Sequence, residues 1–143
     1  YFVAGLGAAQ FALPGAVDRL RAEREAAGAT LVLAATDPAQ PYGATLDWPA
    51  SAGRPARSSS ALVVSSGGVP LVWFDRSSHH LVTFPQTLHE PSWAEALAAR
   101  VRTGVERAVE VRKVAGAAVA DAIADVLHSA GFVDGYRGLV LRS

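Results

Sequence analysis

Apolar and polar positions along the chain change period several times. Residues 1 to 13 alternate weakly around Gly5-Leu6-Gly7 and predict a two-stranded ribbon, Tyr1 to Val3 with Gln10 to Leu13. From Pro14 the period lengthens. Val17, Leu20 and Ala27 share one side while Asp18, Arg19, Arg21, Glu23, Arg24 and Glu25 fill the rest, which predicts a helix from Pro14 to Ala27 stopped by Gly28. Arg19 with Glu23, and Arg21 with Glu25, are spaced for i,i+4 ion pairs on a solvated face. From Thr30 short β-branched runs take over: TLVLA, then ALVVSS, VPLVWFDR and HHLVTF. Gly67-Gly68 between two of these runs supplies the positive φ angles of a tight hairpin, so the segment reads as an antiparallel meander.

The last third mixes periods. Pro91-Ser92-Trp93-Ala94-Glu95 has the spacing of a capping box, with the Ser92 hydroxyl and the Glu95 carboxylate satisfying backbone donors at a helix start. Trp93, Leu97, Val101 and Val105 continue as a buried stripe, with Arg100, Arg102 and Arg107 outside it. A strand over Val109 to Val114 follows. The next helix carries Val119, Ile123, Val126, Leu127 and Ala130 on one face and stops at Gly131, and Gly138 to Arg142 closes as a strand. The expected fold class is α+β: a small antiparallel β-barrel or curled sheet with flanking helices and a C-terminal strand-helix-strand unit. The expected parts are 1–28, the end of a winged-helix-like element and a connecting helix; 29–85, a β-barrel-like antiparallel module; and 86–143, a C-terminal α/β unit.

Composition narrows the function classes. Of 143 residues half are hydrophobic and 18% charged, as in a globular domain and unlike a disordered tail. The formal net charge is zero, which argues against holding DNA by bulk electrostatics and leaves room for a local basic face. Cysteine is absent, so no disulfide and no thiolate metal site can form. No apolar run approaches the ~20 residues of a membrane span, and the chain reads as cytoplasmic. Methionine is absent even at position 1, where the apolar pattern is already under way; this predicts a piece of a longer polypeptide.

The stretch TDPAQPYGATLDWP, after the first strand, concentrates the candidate chemistry. Pro38 and Pro41 fix φ at their own positions and bias Asp37 and Gln40 toward extended backbone, and Gly43 can take positive φ, so the loop is expected to be rigid. Asp37 and Asp47 bracket it as candidate general bases, since a lone aspartate can activate water in base-excision chemistry. The competing reading is that Asp37 accepts hydrogen bonds from its own turn. Gln40, Tyr42, Trp48, Arg54, Arg57 and Arg76 form the candidate nucleic-acid set, because aromatic platforms flanked by arginines hold single strands. Trp73 and Phe74 alternate inside and outside the sheet, so one of the two is expected in the core. Neither a phosphate-binding G-x-x-x-x-G-K-[ST] segment nor a third glycine after Gly5-Leu6-Gly7 is present, which excludes P-loop and Rossmann chemistry. His79, His80 and His89 lack a ligand spacing, and His128 reads as a surface residue, so neither a metal nor a cofactor is expected.

Three segments together, GLGAAQFALPGAVDRLR, LAATDPAQPYGATLDWP and AGFVDGYRGLVLR, resemble the C-terminal region of the Lhr-type (large helicase-related) ATP-dependent DNA helicases. The resemblance runs over nearly the whole chain. It implies a parent chain with an ATP-dependent motor core, followed by winged helices and a β-barrel module related to AlkZ-like DNA glycosylases. By that resemblance residues 1–28 hold the end of a winged helix, and the partners are DNA, the upstream winged-helix and helicase domains, and further copies of the chain. The implied function is a non-motor module serving DNA repair through DNA binding or self-assembly. The alternative it carries is a part of a uracil-DNA or AlkZ-like glycosylase. The Gln-x-Gln pattern of AlkZ-like enzymes is missing, since Gln10 is followed by Phe11-Ala12.

Overall fold

A computed structural model describes residues 11–25, 28–115 and 120–143, with side chains described outside 23–25. Its element order is α1 (Ala16–Glu25), β1 (Thr30–Ala34), β2 (Ala61–Ser66), β3 (Val69–Asp75), β4 (His80–Thr83), α2 (Ser92–Arg102), β5 (Ala108–Val111), β6 (Lys113–Ala115), α3 (Ala120–Ser129), β7 (Val133–Gly135) and β8 (Gly138–Arg142). The strands form two sheets. Five lie in the order β1-β2-β3-β4-β6 and three in the order β5-β8-β7.

The meander forms as its pattern predicts. Gly67 and Gly68 turn at φ +54° and +82°, and β2 pairs antiparallel with β3 from Ala61 opposite Asp75 to Ser66 opposite Val69. The register slips between Val64 and Ser65 near Pro70, whose nitrogen has no hydrogen to give the ladder. The α+β class holds, but the barrel does not: the five-stranded sheet is open, with β1 and β6 at its edges.

A barrel was expected from the number of short strands, but the central strands are apolar on both faces and the structure covers the two faces by different means. Leu62, Val64, Phe74 and Leu81 face a core shared with Trp93 and Leu97 of α2 and Ile123 and Leu127 of α3. Ala61, Val63, Trp73 and Val82 face the other way, into a smaller cluster with Ala35, Phe84 and Trp48. Trp73 and Phe74 are thus both buried, on opposite sides. Strands buried on both faces read as continuous apolar runs, whatever covers them.

The strand expected over Val109 to Val114 is two strands. β5 pairs with β8 in the small sheet, and β6 pairs parallel with β4, His80 opposite Lys113. The switch falls at Arg112, whose amide donates to His79 O at 2.9 Å. His79 takes φ 56°, rare for a residue with a Cβ, and its carbonyl also receives the Lys113 amide. Two consecutive exposed residues, Arg112 and Lys113, mark the break in alternation.

The capping box is absent. Pro91 occupies the N-cap of α2 with no side-chain cap; Ser92 Oγ accepts from Thr30 Oγ1 at 2.9 Å and donates to Glu90, while Glu95 pairs with Arg102. Long-range partners outcompete the local box. The α2 stripe ends at Val101: Val105 lies past the helix and is exposed. α1 starts at Ala16, two residues after Pro14. The ribbon expected at Tyr1 to Val3 and Gln10, with Ala27 and Val119 of the expected helices, falls outside the described residues, and Glu23 and Glu25 of the expected ion pairs fall outside the described side chains. No helix among the described residues is long and apolar enough to cross a membrane.

Candidate nucleic-acid interface

The proline loop leaves β1 and lies across the second face of the large sheet. Asp37 Oδ1 accepts the Ala39 amide at 2.8 Å, and the Asp37 carbonyl accepts the Gln40 amide at 3.0 Å. This is the hydrogen bonding that the turn reading of Asp37 expects. Gln40 is 3% exposed. Its Nε2 donates to Ala35 O and Tyr42 O, and its Oε1 accepts the Tyr42 amide, so the buried side chain replaces backbone pairing that the loop lacks.

Arg57 closes the loop from its far end. One Nη donates to Gln40 O at 2.7 Å and the other to Thr36 O and Asp37 O at 3.1 and 3.3 Å. Arg76 is similarly engaged: Nε and one Nη donate to Ser60 O and Ser59 O, and the other Nη pairs with Glu106 at 3.1 Å. Glu106 also pairs with Arg100 at 3.2 Å, tying the β3 end to α2.

The aromatics stack on one another. Tyr42 and Trp48 have ring centroids 6.0 Å apart at 27°, and Trp48 and Phe84 are 6.0 Å apart and parallel within 1°. The Tyr42 hydroxyl donates to Gly68 O at 3.0 Å, spanning a hollow of about 200 Å³ beside Leu33 and Val63, and burial raises its pKa. Trp73 Nε1 donates to Ala56 O at 2.9 Å. Gly53 passes so close to β4 that a Cβ there would meet Val82 Cγ2 at 2.5 Å.

The sequence-predicted set is therefore brought together in part. Gln40, Tyr42, Trp48, Arg57 and the backbone of Asp37 share one clasp, held largely through main-chain carbonyls. Arg54 and Asp47 are exposed on the same loop, and Arg76 sits at the other end of β3 with Glu106. Pattern reading missed Thr87, which is buried: its hydroxyl accepts the Phe84 amide at 2.8 Å and donates to Leu71 O, while its carbonyl accepts Trp93 Nε1 at 3.0 Å. A threonine in the polar run Gln86 to Glu90 gives no sign of this. The groove of about 430 Å³ between α2 and α3 carries Glu95 and Asp125, whose charge repels a phosphate backbone.

These features define an α+β module of two open sheets, with helices on one face of the larger sheet and a proline-braced loop on the other. Residues 1–32 match the family model for the winged-helix domain of the large helicase-related protein. The chain is 41% identical to the "Lhr helicase/ probable uracil glycosylase" of Mycolicibacterium smegmatis over 161 aligned positions, which cover 99% of this chain and 11% of that protein. It is 38% identical to the "Lhr helicase/uracil glycosylase" of Escherichia coli over 92 positions, covering 59% of this chain and 6% of that protein. The chain belongs to the Lhr-type helicase family and corresponds to part of its C-terminal region. It spans a small fraction of the length of the relatives it matches.

Proposed function

We propose that this chain is a non-motor module of an ATP-dependent DNA helicase acting in DNA repair in the cytoplasm, and that it supports DNA binding or self-assembly. The carrying observation is that an Lhr helicase relative aligns with 99% of a chain that has no nucleotide-binding motif. The clasp supports a scaffold role, since Gln40 and Arg57 give their polar groups to the loop itself. Arg54 and the half-exposed edges of Tyr42 and Trp48 are what the loop offers to DNA. Residues 1–28 would join the module to the winged helix upstream. Gel filtration together with titration against single-stranded and duplex DNA tests the proposal. A strict monomer without affinity for either would remove both roles.

A second reading is favoured by the two relatives, one described as a probable uracil glycosylase and the other as a uracil glycosylase. In it Asp47, exposed beside Trp48, activates water at a flipped base. Asp37 is the weaker candidate because its carboxylate already accepts a turn amide. Uracil release by the parent protein that persists in Asp47→Asn and Asp37→Asn variants would exclude it.

A further inference from the structure

Tyr136 stands between β7 and β8 with 99% of its surface exposed, and Arg137 beside it is exposed too. Their support is firm. β7 and β8 pair from Val133 opposite Val140 to Gly135 opposite Gly138, and β8 pairs along its other edge with β5. Gly138, at φ +154°, lies so close to β5 that a Cβ would meet Val111 O at 2.2 Å. Val140, on β8, is buried. The turn therefore anchors the backbone of Tyr136, whose ring stands in solvent and contributes nothing to the core.

Beside the tip is an open concavity of about 530 Å³ whose wall includes Val133, Gly135, Tyr136, Leu141 and Arg142. Val133 is 61% exposed and Arg142 is exposed. The carboxylate at this wall, Asp134, lies 3.4 Å from His128 of α3. An exposed ring with Arg137 next to it in sequence, and with Arg142, which also lines a smaller hollow with Glu106 and Glu110, in the wall of a partly apolar concavity, has the chemistry that stacks a nucleobase and neutralises its phosphates. The aromatics of the proline loop, by contrast, already stack on each other.

We propose that the β7–β8 tip is a single-strand DNA contact in which Tyr136 stacks on an unpaired base while Arg137 and Arg142 meet the adjoining phosphates. This rests on the reading of the chain as a DNA-binding module. Single strands are favoured over duplex because a ring face is available to a base only when that base is unstacked.

The test uses the full 143-residue chain, a single-stranded oligonucleotide carrying a fluorescent adenine analogue, and a duplex of the same sequence. The wild-type chain should bind the single strand and quench the analogue. Tyr136→Ala should weaken binding about 5- to 150-fold and abolish quenching, as expected for the loss of one base stack. Tyr136→Phe should stay within about 2-fold of wild type, because the ring is kept. Arg137→Ala should reduce the slope of log affinity against log salt by about one. Melting temperatures should be unchanged, since both side chains are exposed. No affinity in the wild-type chain would overturn the DNA-binding reading and this contact with it. Binding that Tyr136→Ala leaves intact would overturn the contact alone, as would a loss confined to duplex.

Discussion

The Arg57 guanidinium reaches the main-chain carbonyl of Gln40 at 2.7 Å across 17 residues of chain, and with Thr36 and Asp37 it gathers three carbonyls of one turn. Arg57→Ala should cost about 1.5–3 kcal/mol, the range for hydrogen bonds to a charged group. Arg57→Lys should recover only part of this, because an ammonium lacks the planar fork. Urea unfolding midpoints measure both. A variant as stable as wild type that binds DNA less well would make Arg57 a ligand contact instead.

Gly53→Ala should destabilise the chain by about 1–3 kcal/mol through overpacking against Val82. Val82→Ala alone should also destabilise, by opening a hole in the smaller cluster. Combining them should cost less than the sum of the two, since each relieves the other's defect. A double-mutant cycle with additive costs would show that the loop does not press on β4.

Thr87→Val keeps the shape of the side chain and removes its hydroxyl. The Phe84 amide and the Leu71 carbonyl would lose a buried partner, for an expected cost of about 1–3 kcal/mol by denaturant titration. Thr87→Ser, which keeps the hydroxyl, should lose less. Equal losses would assign the effect to packing.

Asp75 supplies the pH dependence. Desolvation raises its pKa, but hydrogen bonds from the Ser60, Ser78 and Ser77 side chains and the Ser77 amide outweigh it and hold the carboxyl well below the usual range. Protonation is therefore harder in the folded state. The stabilisation should be complete at pH values above the unfolded carboxylate pKa of about 3.9 and decline as pH falls below it. Asp75→Asn should remove this part of the dependence. Melting curves from about pH 6 to pH 2 test it, and an unchanged acid slope in the variant would contradict it.

What could be read from the chain beforehand was local. The Gly67-Gly68 hairpin and the stripe from Trp93 to Val101 depend on neighbours within a few residues, and periodicity reports those. The fate of Ser92 was decided by Thr30, 62 residues away. The split at Arg112 depends on the His79 carbonyl. Gln40, a polar residue between two prolines, has the sequence character of an exposed ligand contact, and its burial follows from main-chain groups that no side-chain pattern displays. An apolar run that demands cover on both faces does not say whether a strand, a helix or a loop provides it.

The parallel pairing of β6 with β4 also imposes an order on biosynthesis. As the chain emerges from a ribosome, the first four strands of the large sheet are complete by Thr83, but the fifth arrives only with Lys113 to Ala115, after α2 and β5. Until then the outer rim of β4 has unpaired amides and carbonyls that a neighbouring nascent chain can engage. For that interval, α2 and the proline loop can shield the faces of the sheet while its edge stays open.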